Sequence, residues 1–257
     1  MRKNSILTIL AVLVLAIPTA CNRDDYKPGG KKSTPEDDVE AFLVAHYTFD
    51  SGNALDMSGN GWDGVVFGEG SFISDTPSGN GSALFINGIK EQLVNIPYNM
   101  FENLLSYTIS FWIKDFSTGA VVSGISSGHQ AYCFPRVYVK DDGHLSFSCS
   151  SNTIENSPEF SFTLSPIQSG AWHHIAVSCE EQLYGRAALK LYIDGVLIDS
   201  ISGMVANNVS QAVTKFNIGG NGNGFYPVFQ SMKVDNVSFF SAALRGTVVK
   251  YLYDNKF

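Results

Sequence analysis

Asp56, Ser58 and Asn60 occupy alternate positions ahead of Gly61 in Asp56-Met57-Ser58-Gly59-Asn60-Gly61. Side-chain oxygens at this spacing let a loop curl around a hard cation such as Ca2+. The same residues also form Asx-type turns without metal, so two readings stand. The position of a closing EF-hand glutamate is filled by Phe67, which excludes an EF-hand. Gly59-Asn60-Gly61-Trp62-Asp63-Gly64 has dinucleotide-binding spacing, but Val65, Val66 and Phe67 follow it. Such β-type residues open no helix, and without a helix N-terminus there is no cradle for phosphate. Gly124-Ile125-Ser126-Ser127-Gly128 matches the nucleophile-elbow pattern, again with no helix behind it and no later acid and histidine in hydrolase order. No catalytic residue is therefore assigned. Trp62 sits in a loop where an aromatic has no evident core duty, and Phe225 and Tyr226 follow the polar, glycine-rich 219–224. Aromatic faces on loops are the natural partners of sugar rings, and these three are the candidate ligand contacts.

The elements that would position these residues read as strands. His173, Ile175, Val177 and Cys179 alternate with Trp172, His174, Ala176 and Ser178, and Leu189, Leu191 and Ile193 continue the period of two. Alternation also sends His173 and His174 to opposite faces, which argues against joint metal binding. Asp194-Gly195 then predicts a type I′ hairpin that pairs Ile193 with Val196 and Leu191 with Ile198. Further strands are expected at 42–49, 82–87, 91–96, 107–114, 120–126, 133–139, 144–149, 160–164, 215–218 and 228–240, with a polar loop over 50–64. Helical spacing is confined to Leu244, Val248, Tyr251 and Leu252. Many short strands without alternating helices imply an all-β fold, a two-sheet antiparallel jelly-roll sandwich with a short C-terminal helix.

Several segments carry a family resemblance in their order. Ala45-His46-Tyr47-Thr48-Phe49-Asp50, the Asp56–Gly61 loop, Ala83-Leu84-Phe85-Ile86-Asn87-Gly88, Tyr107-Thr108-Ile109-Ser110-Phe111-Trp112, the Trp172–Val177 and Leu189–Ile198 strands and Val234-Asp235-Asn236-Val237 together resemble laminin-G-like domains of the concanavalin-A-like lectin/glucanase superfamily. The likeness spans 41–257. It implies that the strands ending near Asp50 and Asp235 run side by side, so that both could join Asp56 in a structural Ca2+ cage. It also implies that Trp112 and Trp172 pack. Glucanases of the superfamily carry their carboxylates as Glu-x-Asp-x-Glu on one strand, and this chain has no such pattern in the domain. The resemblance thus implies a non-catalytic, carbohydrate-binding lectin-like module. A protein-interaction or adhesion module and an unusual glycoside hydrolase are the alternatives.

At its start the chain has Arg2 and Lys3, an apolar run over 6–17, and Ile17-Pro18-Thr19-Ala20-Cys21. This resembles a bacterial lipoprotein signal, implying a 1–20 leader and lipid on Cys21; an ordinary secretory signal cut near Ala20 is the alternative. Residues 21–40, rich in charge, Pro and Gly, read as a flexible tether. Arg23-Asp24-Asp25 resembles the surface-export signal of Bacteroidetes-type lipoproteins, which implies an outer-membrane protein facing outward. The chain carries 17 Lys+Arg against 24 Asp+Glu, a net charge of −7. Without Arg2 and Lys3 the balance is 15 against 24, or −9, which disfavours nucleic-acid binding. Cys133, Cys149 and Cys179 are an odd set that alternates in phase with apolar neighbours, as buried free thiols would; one bridge among them is the alternative.

Overall fold

Two hydrogen-bonded sheets absorb the alternating segments. The computed structural model describes residues 33–257 apart from 69, 89–91, 103, 127–132, 141, 149–159, 162–166, 183–185, 206–212 and 221–230. Thr34–Phe257 form one compact unit. Helix α1 (Pro35–Phe42) leads into β1 (Leu43–Tyr47), followed by the short β2 (Val65–Phe67), β3 (Ser71–Ile73), β4 (Ala83–Ile86) and β5 (Leu93–Ile96). Next come β6 (Tyr107–Lys114), β7 (Gly119–Ser126), β8 (Cys133–Val139), β9 (Leu145–Ser148) and β10 (Phe160–Ser161). The chain closes with β11 (His173–Gln182), β12 (Arg186–Ile193), β13 (Val196–Val205), β14 (Val213–Ile218), β15 (Met232–Phe240) and α2 (Gly246–Asn255).

The eight-stranded sheet has the order β13-β12-β11-β6-β15-β4-β3, with β1 also paired to β15. The seven-stranded sheet runs β10-β9-β8-β7-β14-β5-β2. The two inner faces share one core in which Tyr47, Phe111, Ile175, Leu191 and Phe239 meet Val94, Val137, Phe147 and Phe216. A second apolar cluster lies on the opposite side of the eight-stranded sheet. There Val39 of α1 and Val248, Val249 and Leu252 of α2 cover Ala176, Tyr192 and Phe240. Strands β6, β11 and β15 are consequently buried on both faces.

Three expectations change. The segment read as tether ends early, because Pro35–Glu40 are helical. Thr34 and Asp37 form a reciprocal capping box, Pro35 opens the first turn, and three acidic residues face the positive helix end. Asp38 pairs with Arg245 beside α2, which ties the helix to the domain. Strands β2 and β3 appear where the sequence placed no separate strands. The hairpin behaves as expected at its tip, with Asp194 at φ 51° and Gly195 at φ 77°, and Ile193 opposite Val196. One step further a bulge intervenes, so Leu191 faces Asp199 and not Ile198. A one-residue shift reverses the facing of the strand, and Val196, Leu197 and Ile198 are exposed instead of extending the apolar face.

Candidate functional site

The loop after β1 is held by a single carboxylate. Asp56 Oδ1 accepts the N–H groups of His46 at 3.0 Å and Ser58 at 2.9 Å. Its Oδ2 accepts the Trp62 N–H at 3.0 Å and the Ser58 hydroxyl at 2.8 Å. Burial pushes this carboxyl up, but those four donors outweigh it and pull it below the usual range. The amide of Asn60 donates to the Val44 carbonyl at 2.9 Å. Asp56, Ser58 and Asn60 therefore spend their polar groups on the chain itself, as in an Asx-type turn.

Asp50 and Asp235 make different hydrogen bonds. Asp50 Oδ1 accepts the Ser82 N–H at 2.9 Å, and Asp235 is 3% exposed and accepts the Asn236 N–H at 2.8 Å. Burial raises the Asp235 carboxyl to about 8, and the Asp50 charge adds to the rise. Among the described residues no three His, Cys, Asp or Glu form a metal cluster. Trp62 is half-buried against the core and sits edge-on to Tyr98 at 5.1 Å, so it does have a packing duty. Its carbonyl accepts the Tyr47 hydroxyl at 2.6 Å. Phe225, Tyr226 and Cys21 lie outside the described residues, as do Cys149 and the side chain of Cys133; Cys179 is buried, its Sγ 3.7 Å from the Leu105 carbonyl oxygen.

The histidines serve the sheet. His46 Nδ1 bonds Ser238 Oγ at 2.8 Å and its ring stacks on Phe257 at 4.3 Å. His174 Nε2 bonds Ser110 Oγ at 2.8 Å. Burial lowers both imidazoles to about 4, so they are neutral near pH 7. His173 points the other way, to Asp194 at 2.9 Å. Trp112 is 2% exposed beneath Tyr253 and the Lys256 ammonium, which lies 4.6 Å from its ring. At one end of the same sheet, Asp75 accepts Lys233 at 2.7 Å, Lys114 at 2.9 Å and Trp172 Nε1 at 3.1 Å. The two lysines, Lys233 first, hold its carboxyl well below the usual range. This clamp fixes strand ends and was missed in the sequence, where its members are up to 158 positions apart.

The outer face of the seven-stranded sheet is different. Val94, Val122, Val137, Phe147 and Phe216 enter the core, so alternation turns Asn95, Ser123, Arg136, Ser146 and Asn217 outward. Val65, Asn95, Asn217, Ser123 and Arg136 are successive register partners across five strands. At about 4.8 Å per strand this row is roughly 19 Å long. Asn95 Nδ2 donates to Asn217 Oδ1 at 2.8 Å, and the Arg136 guanidinium lies 5.2 Å from the Tyr138 ring centroid. Ser146, beside Tyr138 on this face, is 1% exposed, and its hydroxyl has no hydrogen-bond partner among the described residues. The short side chains are buried at the centre, Asn95, Arg136, Tyr138 and Lys215 reach the surface, and Val65 and Phe67 are exposed at the β2 edge. Sequence reading looked to loops for a ligand surface; the signal that would have found this candidate face is the polar set at alternate strand positions.

Two stacked antiparallel sheets form a concanavalin A-like sandwich. Residues 87–250 match the Laminin_G_3 model, described as concanavalin A-like lectin/glucanases superfamily, and the chain belongs to that family. A search of the curated proteins found no match. Among solved structures, domain 4 of AbnA, a GH43 extracellular arabinanase from Geobacillus stearothermophilus, in complex with arabinotriose, is similar at TM-score 0.58 and 22% identity. That match covers 82% of this chain and 98% of the other. The binding domain of Paraclostridial Mosquitocidal Protein 1 gives TM-score 0.62 at 20% identity, over 85% of this chain and 53% of that one. The binding domain of botulinum neurotoxin DC in complex with SialylT gives 0.61 at 15%, over 84% and 51%. The chain thus spans about half the length of the toxin domains it matches.

Proposed function

We propose that this protein is a non-catalytic glycan-binding module, displayed at the outer membrane surface by a lipid on Cys21. The observation that carries the binding role is the polar row on the seven-stranded sheet. The opposite outer face is covered by α1 and α2, whereas this face spends amide, hydroxyl and guanidinium groups where the core has no use for them. Its length suits an oligosaccharide more than a single sugar. The strands of this sheet contain no Asp or Glu, so it offers no pair of carboxylates to attack a glycosidic bond. The arabinotriose-bound and SialylT-bound neighbours support glycan as the ligand class. Pull-down of the purified full-length protein on a panel of insoluble and immobilised polysaccharides tests the reading. Retention by one glycan class, weakened about tenfold by Asn95→Ala through loss of an orienting amide, is expected. No retention by any glycan, with the protein shown to be folded, would overturn it.

Calcium belongs to this proposal only through Asp50 and Asp235, whose repulsion a divalent cation would relieve. Addition of Ca2+ would then raise Tm in the wild type and leave Asp235→Asn unchanged; no rise in the wild type excludes the ion. The anchor rests on the leader sequence. Palmitate labelling lost in Cys21→Ala, and removal of the protein by protease from intact cells, are the expected results. A second reading, a protein-docking module, is favoured by Val196, Leu197 and Ile198, exposed at the start of the open edge strand β13.

A further inference from the structure

We infer that the glycan taken by the seven-stranded sheet is a chain of sugar rings with equatorial hydroxyls, one uncharged ring of which lays its C–H face on Phe67 and its hydroxyl rim on Asn95; this deepens the glycan-binding reading and rests on it. The side-chain order at the β2 end of the sheet carries the inference. Val66 packs against the core, so Val65 and Phe67 on either side of it turn to the outer face, where they are 53% and 52% exposed. No other strand of this sheet has an exposed large apolar side chain among the described residues. Val65 is the register partner of Asn95, and Phe67 is that of Leu93. Val94 and Ile96 enter the core, so Asn95 and Leu93 turn outward as well. The polar row thus ends on an apolar step, with Phe67 diagonal to Asn95 at roughly 7–8 Å between backbones.

An aromatic ring beside a fixed amide suits a ligand that is apolar on its face and polar on its rim. Asn95 Nδ2 donates to Asn217 Oδ1 at 2.8 Å, which orients the amide in advance of binding. Its oxygen and its second N–H can then meet a hydroxyl, which both donates and accepts. A pyranose with equatorial hydroxyls, as in gluco- and xylo-configured chains, directs its C–H bonds to both ring faces and its hydroxyls to the rim. Those C–H bonds meet the negative face of the Phe67 ring, whereas an axial hydroxyl would press a polar group against it. Strands β2 and β5 hold no charged residue, so neither supplies a counter-ion to a charged substituent at this end. Area separates a sugar from a protein partner. Two half-exposed side chains offer on the order of 200 Å2. A standard protein interface takes about 800 Å2 from each side. A three-residue edge strand is also too short to template an added strand from another chain.

The test titrates the purified full-length protein with cellohexaose, xylohexaose and mannohexaose, the last carrying an axial hydroxyl on each ring. Binding of cellohexaose or xylohexaose, about tenfold tighter than mannohexaose, weakened about tenfold in Phe67→Ala and kept in Phe67→Tyr, is expected. Saturation of the aromatic protons should pass to the C–H protons of the bound sugar, and Phe67→Ala should abolish that transfer. Leu197→Ala, which trims an exposed apolar residue of the other sheet, serves as the control and should bind as the wild type does. Equal binding by the wild type and folded Phe67→Ala, with Asn95→Ala weakened, would overturn the stacking role while the glycan reading stands. Mannohexaose bound as tightly as the other two, or another glycan retained and none of the three, would overturn the ring class and leave the glycan reading in place. Retention by no glycan would overturn both.

Discussion

Asp56 shows how one residue type can be legible while its role is not. Its loop reads from the sequence as oxygen-rich, which suits a cation and a self-bonded turn equally. Four hydrogen bonds from His46, Ser58 and Trp62 hold it in the turn. Asp56→Ala would strand those N–H groups, and a loss of about 3–5 kcal/mol in urea unfolding is expected. Asp56→Asn should cost less, since it keeps one acceptor. Buried titratable groups make stability pH-dependent in two opposite windows. Without divalent cations, burial holds the folded Asp235 carboxyl at about 8, above the usual 3.8. The folded state then keeps a proton that the unfolded chain has released, so stability falls as pH rises from about 4 to about 8. His46 and His174 are depressed to about 4 from 6.5, and what they contribute is present above 6.5 and lost as pH falls toward 4. Two histidines outweigh one carboxyl below 6.5, and only Asp235 acts above it. Maximum stability near pH 6.5 is expected, with a decline of about 1.4 kcal/mol per unit above it that disappears in Asp235→Asn. A flat profile in the wild type from 6.5 to 8 would contradict the burial argument.

Elements were most legible where pattern and turn chemistry agree. The β11–β12–β13 meander follows from its alternation and from Asp194-Gly195, whose positive φ values the type I′ turn requires. Gly195→Ala would be strained at φ 77° and would bring its Cβ within 3.1 Å of Lys250 and Tyr253, so a loss of about 1–2 kcal/mol is expected. The bulge beyond it was not legible, because nothing in Val196–Ile198 marks which strand takes the extra residue. Helix α1 was hidden in a charge-dense stretch. Its signals, Thr34-Pro35 and Asp37, are local, but the burial that stabilises so short a helix comes from α2, two hundred positions away. The chain end is a similar case. Phe257 stacks on His46, and Lys256 sits 4.4 Å from Tyr253 and 4.6 Å from Trp112. A chain shortened to Asn255 should lose about 1–2 kcal/mol of stability. It should also show the His46 imidazole titrating closer to 6.5 by NMR, as burial is relieved.

For the whole molecule, the sandwich was legible because antiparallel sheets with one buried face write a period of two into every strand. The proposed ligand surface was not, because its members are spread over four strands from Asn95 to Asn217 and become neighbours only through register. Each polar residue at an outward position looks locally like an ordinary solvent-facing one. Only the row and the covered opposite face give it meaning. Titration of the isotope-labelled protein with the retained oligosaccharide, followed by amide chemical shifts, tests this assignment most directly. Shifts confined to the outer row, centred on Asn95, Ser123, Arg136, Tyr138, Lys215 and Asn217, are expected. Shifts centred instead on the Asp56–Trp62 loop or on Val196–Ile198 would contradict it.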